Sequence, residues 1–378
     1  MFWGREEKNG ERKWENGEGN GMTEIKCSGR AYTVHNTVLL LAMVVQERRV
    51  VDEVSGWLRV YDDGSVDRSW VGPQEAKFMI DPVPAHEEFI EGVATRDVEL
   101  GPGSRVRVYI PDTGTGSDPN EKLPVILHFP GGGFCISQAD WLMYYAVYTK
   151  LARLARAIVV SVYLRLAPEN RLPAAIDDGF SALLWLTSLA RGDAHEPWVS
   201  NKADFNRIFL MGDSSGGLLV HEVASRAGKM DLSPLKLAGS IPIHPGICRA
   251  TRSRSELEMP QTPFLTLDMV DKFLSLALPI GSTKDHPITC PMGPAAPPLS
   301  EFHLPPILYC VAENDLFIDT NMEFYEALKK AGKDVELFVS HNMTHSFYLN
   351  KLAVDNDPDT KSQTEKLFEG IVEFIRRH

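Results

Sequence analysis

No run in this chain is apolar enough to cross a bilayer. A spanning helix needs roughly 20 apolar residues, and the longest run, Val38–Val45, has eight. That run is also a poor signal peptide, because a long charged stretch precedes it and no small-residue cleavage site follows. Basic excess is lacking too. Lys and Arg number 39 against 51 Asp and Glu, a formal net charge of −12, which disfavours nucleic acid and anionic membrane as main partners. Cysteine is sparse. Cys27, Cys135, Cys248, Cys290 and Cys310 are scattered without CxxC spacing, which excludes a zinc site or a disulfide framework and fits free thiols in a cytoplasmic or nuclear setting. No repeat is evident. What is present is 378 residues, 43% of them apolar and 24% charged, enough to bury a sizeable core.

The organisation follows from composition and periodicity. Residues 1–35 hold six glycines and many charges with little apolar patterning, so residues 1–42 are expected to be a disordered extension, with Met43 as an alternative start. Residues 43–95 carry apolar and aromatic residues ahead of the first clear sheet strand and read as a separate segment, and residues 96–378 as the main α/β domain. Short β-branched runs predict strands at Val106–Ile110, Val125–Phe129, Ala157–Tyr163, Arg207–Met211, Ala238–Ile243, Pro306–Val311 and Val335–Val339. Between them, helical periodicity predicts Trp141–Arg156, Ile176–Arg191, Ser215–Ala227, Thr266–Leu278, Thr320–Ala331 and Gln363–Arg377. Strand and helix in alternation predict an α/β fold, a mostly parallel sheet with helices on both faces. Chemistry in such folds sits at the carboxyl ends of the strands.

Gly212-Asp213-Ser214-Ser215-Gly216 joins a predicted strand to a predicted helix. In that setting GxSxG holds a serine hydroxyl on a strained turn at the helix N-terminus, and Ser214 is the candidate nucleophile. Serine needs a base, and the base needs an orienting acid, in the chain order Ser, acid, His. His345, in a loop just beyond Val335–Val339, is the candidate base. His341 lies nearer the strand end and reads as structural, and the pair His341/His345 lacks the helix and third ligand of a metal site. His221 points away from the turn. Asp315 is the candidate acid after Pro306–Val311, with Glu313 second and Asp319 read as the cap of the next helix. Gly131-Gly132-Gly133 follows Val125–Phe129. Backbone N–H groups of Gly132, Gly133 and Ser215 are the candidate oxyanion hole. The chemistry needs no cofactor and no metal.

Five segments carry a family resemblance: LHFPGGGFCIS (127–137), SVYLRLAPENRLP (161–173), GDSSGG (212–217), VAENDLFIDT (311–320) and THSFYLN (344–350). The chain resembles the plant carboxylesterases of the hormone-sensitive-lipase group within the α/β-hydrolases, over roughly residues 45–378. Within that group VVDEVSGWLRVYDDGSVDR, CISQADW, HEPW, QTPFLTLDMVDKF and DVELFVS are especially similar to the strigolactone-hydrolysing carboxylesterase 15 type. The resemblance implies a serine esterase acting on a small-molecule ester or lactone through an acyl-enzyme, as monomer or homodimer. It gives Ser214, Asp315 and His345 the triad roles and the glycine loop the oxyanion role. It also implies that the segment bearing Trp57, Leu58, Val60, Tyr61, Trp70 and Phe78 forms a lid, against the alternative that these residues only pack on the core.

Two departures stand out. Where the family reads His-Gly-Gly-Gly, this chain has Pro130, and His128 lies two residues earlier. The family histidine braces the oxyanion loop, so slowed but not abolished turnover is expected. Asn170 stands where the family has histidine in a turn. The gibberellin receptors share the resemblance but lack the catalytic histidine, so a non-catalytic hormone receptor is the second reading. A cyclase or eliminase on the same scaffold is the third.

Overall fold

The computed structural model describes residues 48–114, 118 and 121–378; the expected extension over 1–42 lies outside them. In chain order the strands and helices are β1 (Val50–Val54), β2 (Leu58–Tyr61), β3 (Val66–Asp67), β4 (Val93–Gly101), β5 (Ser104–Pro111), β6 (Leu123–Phe129), α1 (Leu142–Ala155), β7 (Ile158–Tyr163), α2 (Ala174–Arg191), α3 (Pro197–Ser200), β8 (Ala203–Asp213), α4 (Ser215–Ala227), β9 (Leu237–Ile243), α5 (Arg254–Glu258), α6 (Leu267–Ala277), β10 (Ile307–Ala312), α7 (Ile318–Lys330), β11 (Val335–Ser340), α8 (Lys351–Asn356) and α9 (Pro358–Arg377). All seven predicted strands and all six predicted helices are present, with ends shifted by a few residues.

Eight strands form one sheet in the order β11-β10-β9-β8-β6-β7-β5-β4. From β6 to β11 the pairing is parallel, and β5 and β4 close one edge antiparallel. The parallel strands are buried on both faces, and alternate residues feed two separate cores. On β6, Val125, Leu127 and Phe129 pack toward one face while Ile126 packs toward the other. The first core takes in residues of α2, α4, α6 and α7; the second takes in residues of α1 and α9. Helices therefore cover both faces of the sheet, as the alternating pattern requires. Among the described residues no helix is long and apolar enough to cross a membrane.

Strand order places the loops. β6 lies between β7 and β8, and Phe129 pairs with Gly212, so the loops leaving β6 and β8 emerge side by side. β10 pairs with β11 through Ala312 and Ser340, so the loops after those two strands are neighbours as well. One rim of the sheet thus collects four loops that are far apart in sequence.

One local expectation fails. α7 begins at Ile318, with Phe317 as its N-cap residue, so Asp319 lies inside the first turn and does not cap it. Its carboxylate accepts a hydrogen bond from Ser255 N–H at 2.8 Å, at the start of α5. The helix starts earlier because Asp315 accepts from Phe317 N–H at 3.0 Å and turns the chain there.

Candidate active site

Ser214 occupies the corner between β8 and α4 with φ 53 and ψ −119, a left-handed conformation that costs about 1–3 kcal/mol in a non-glycine residue. The corner is tight enough to demand glycine on both sides. A Cβ on Gly216 would overlap the carbonyl oxygen of Phe129, and one on Gly212 would strike the backbone of Gly216. Backbone bonds from Gly217 and Gly246 N–H to the Ser214 carbonyl, both 3.0 Å, pin the turn.

Asp315 and His345 come from the neighbouring loops after β10 and β11. His345 Nδ1 lies 2.7 Å from Asp315 Oδ2, while Asp315 Oδ1 accepts from Phe317 N–H. Asp315 is 1% exposed. With Nδ1–H donated to the carboxylate, His345 Nε2 is left as the acceptor, and it is buried without an internal partner. Phe317 meets the His345 ring edge-on at 5.3 Å. Ser214 and His345 line the same cavity. Glu313, the second acid candidate, instead accepts from Asn342 N–H and faces the exposed His341. His341 and His345 therefore turn to different carboxylates.

The glycine loop borders the same cavity. Gly132 and Gly133 have φ 93 and 59, and both line it with Ser215. The Gly131 N–H donates to Tyr144 Oη at 2.9 Å, and that phenol donates to Asp213 Oδ2 at 3.2 Å. At the other end of the loop, Phe134 N–H donates to Ser215 Oγ at 3.3 Å. His128 is fully buried beneath the loop, with Nδ1 2.8 Å from Ser161 Oγ and Nε2 3.5 Å from Asp213 Oδ1. Burial holds its pKa below the ordinary histidine value against the pull of Asp213. Ser161 and His128 form a serine–histidine contact, but both are 0% exposed and neither lines the cavity.

His244, on the turn after β9, packs 6.2 Å from the His345 ring and accepts from Ser346 N–H at 3.0 Å. Burial pushes its pKa down to about 3, with the Asp315 charge opposing and His345 adding to the shift. His221 lies on α4 with its ring edge-on to Phe302 and Phe324, away from the cavity as expected.

The cavity measures about 620 Å³, large enough for a drug-sized ligand. Of the residues proposed as a lid, Trp57 and Trp70 line it, as do Ala76, Met79 and Ile80; Leu58, Val60 and Phe78 pack on the core. Trp57 meets Trp70 edge-on at 4.5 Å, and Trp70 stacks on Phe264 at 6.4 Å. Arg68 ties this segment down: it donates to the Cys135 and Ala167 carbonyls and pairs with Glu169. Sequence reasoning assigns Tyr144, Asp213, His244 and Phe264 no role: a tyrosine or phenylalanine at helical or loop spacing reads as core, and Asp213 stands in GxSxG at a position the motif leaves open.

Comparison with known proteins bears on the fold and family. A family model described as alpha/beta hydrolase fold matches residues 126–349. Probable carboxylesterase 6 of Arabidopsis thaliana is 39% identical over 79% of this chain and 85% of its own length. Gibberellin receptor GID1C of the same plant is 37% identical over 72% of this chain and 80% of its own. Among solved structures, the hyperthermophilic esterase of the archaeon Pyrobaculum calidifontis superposes with a TM-score of 0.60 at 25% identity, covering 75% of this chain and 85% of that one. The chain belongs to the α/β-hydrolase-fold family, as a carboxylesterase-like member.

Proposed function

We propose that the protein is a serine carboxylesterase working through an acyl-enzyme. The observation that carries this reading is the His345–Asp315 contact of 2.7 Å with Nε2 left unpartnered beside the cavity that Ser214 also lines. His345 Nε2 takes the Ser214 proton as Oγ attacks the ester carbonyl. Asp315 holds the imidazolium that forms. Backbone N–H groups of Gly132, Gly133 and Ser215 take the negative charge. The alcohol leaves with the proton from His345; His345 then takes a proton from the water that attacks the acyl carbon and returns it to Ser214 Oγ as the C–Oγ bond breaks and the acid is released.

Substrates in this reading are bulky, largely apolar esters or lactones, supported by the cavity's size and its Trp57, Trp70, Phe264 and Phe273 walls. Strigolactone-type lactones are the finer proposal and rest on the sequence resemblance. The described part of the 43–95 segment, as far as the start of β4 at Val93, acts as the lid. Four free, buried cysteines among the described residues fit the cytoplasmic setting. Truncating Trp70 to alanine is expected to raise KM for a bulky aryl ester by about 5- to 10-fold, a loss of about 1 kcal/mol of aromatic contact. Acetyl ester kinetics should hold. Equal KM changes for both esters would remove the lid role.

The deciding experiment is a stopped-flow trace on a p-nitrophenyl ester together with organophosphate labelling mapped by mass spectrometry. A stoichiometric burst and a label on Ser214 support the reading. No burst, no label, and ligand-dependent capture of another protein would favour the receptor class represented by the gibberellin receptor relative. A label on another serine would displace Ser214.

A further inference from the structure

Pro130 removes the side chain that is expected to brace the oxyanion loop, yet the loop is anchored at both ends. Its first N–H, on Gly131, donates to Tyr144 Oη at 2.9 Å, and its last, on Phe134, donates to Ser215 Oγ at 3.3 Å. Tyr144 is 1% exposed and comes from α1, across the second core. Its phenol also donates to Asp213 Oδ2, one residue before Ser214. The fit around that carboxylate is close: a Cβ on Gly131 would collide with Asp213 Oδ2 and the Asp213 carbonyl. Desolvation and the neighbouring Asp213 charge hold the Tyr144 phenol well above its ordinary pKa, so it stays protonated and can accept from Gly131 while donating to Asp213. Ser215 Oγ belongs to the residue that follows the nucleophile and is 4% exposed.

We infer that Tyr144 and Ser215 are positioning residues that clamp the oxyanion loop to the nucleophile turn through their hydroxyls, replacing the brace that Pro130 cannot provide. The inference rests on the esterase reading for its kinetic consequence but not for its structural one. Between the two anchors lie Gly132 and Gly133, whose positive φ angles leave the segment little intrinsic preference for one conformation. An unanchored loop would sample poses in which its donors miss the oxyanion. Misplacement by about 1 Å can cost on the order of 10²-fold in rate.

The test compares Tyr144→Phe, Ser215→Ala and the double variant with the parent. Each substitution removes only a hydroxyl, and Ser215→Ala keeps the backbone N–H. In the double variant kcat on a p-nitrophenyl ester should fall by about 30- to 100-fold with KM within about twofold. Amide hydrogen exchange of the peptide spanning residues 130–137 should accelerate at least about 10-fold, with exchange in β8 and α9 unchanged. Ser215→Ala alone should lose about 5-fold in kcat, and decides the matter if the Tyr144 variants do not fold. Unaltered exchange across 130–137, or kcat within about threefold of the parent in the double variant, would overturn the clamp. A parent protein that turns over no ester would sink the esterase reading while the exchange measurement still tests the clamp.

Discussion

Asp315→Asn is expected to lower kcat by about 10⁴-fold while leaving the fold intact, the size seen when the orienting acid of a serine triad becomes an amide. The reason lies in two hydrogen bonds. Phe317 N–H donates to Oδ1, so an asparagine here keeps its carbonyl oxygen on that side and turns its NH₂ toward His345. The amide then donates to Nδ1, and the ring's proton moves to Nε2, the atom that accepts from Ser214 in the proposed mechanism. The proposed base is lost while the geometry stays. Raising the pH does not restore it, because the fault is in which nitrogen carries the proton. Ser214→Ala is the companion control and should abolish both the burst and organophosphate labelling, with a kcat loss on the order of 10⁶. Asp315→Asn with kcat within tenfold of the parent would remove the acid role from Asp315.

Much of the fold is legible in the sequence because the parallel strands are buried on both faces. Val125–Phe129 and Ala157–Tyr163 are apolar almost throughout, and no exposed segment needs that composition. β4 escapes the same reading. Val93–Gly101 carries Arg96, Asp97 and Glu99 on an edge strand, and its antiparallel pairing with β5 is set by tertiary contact. The triad candidates are legible because strand ends fix their order along the chain. The supports are not. Tyr144 sits on α1 among the apolar residues of its buried face, and nothing in helical spacing says that its hydroxyl meets Gly131 and Asp213. His128 stands two residues before the place of the family histidine, and nothing in the sequence says that it becomes a buried neighbour of Ser161 and Asp213. Asp319 looks like a cap because Asp often caps helices, but the carboxylate of Asp315 had already turned the chain at Phe317.

Two desolvated histidines, the half-buried His221 and the fully buried His244, should make the protein acid-sensitive. The pKa of His221 is pushed down to about 4 by desolvation alone, and that of His244 to about 3, from an ordinary value of 6.5. Because the folded values lie below the unfolded one, the unfolded chain binds more protons, so stability rises with pH. The contribution is fully present above about pH 6.5 and drains away as the pH falls toward 4 and 3. Each withdraws at most about 1.4 kcal/mol per pH unit over that range, and the half-buried His221 less than that. His221 is the cleaner probe. Its ring meets Phe302 and Phe324, whereas His244 also feels the charge on Asp315. Urea unfolding at pH 7, 5.5 and 4.5 should show the midpoint falling steeply. In His221→Leu, which keeps the apolar contacts and cannot take a proton, the loss between pH 6.5 and 4 should shrink. A variant whose pH slope matches the parent's would show that His221 reaches solvent before the chain unfolds, and the acid sensitivity would then rest on His244 and His128.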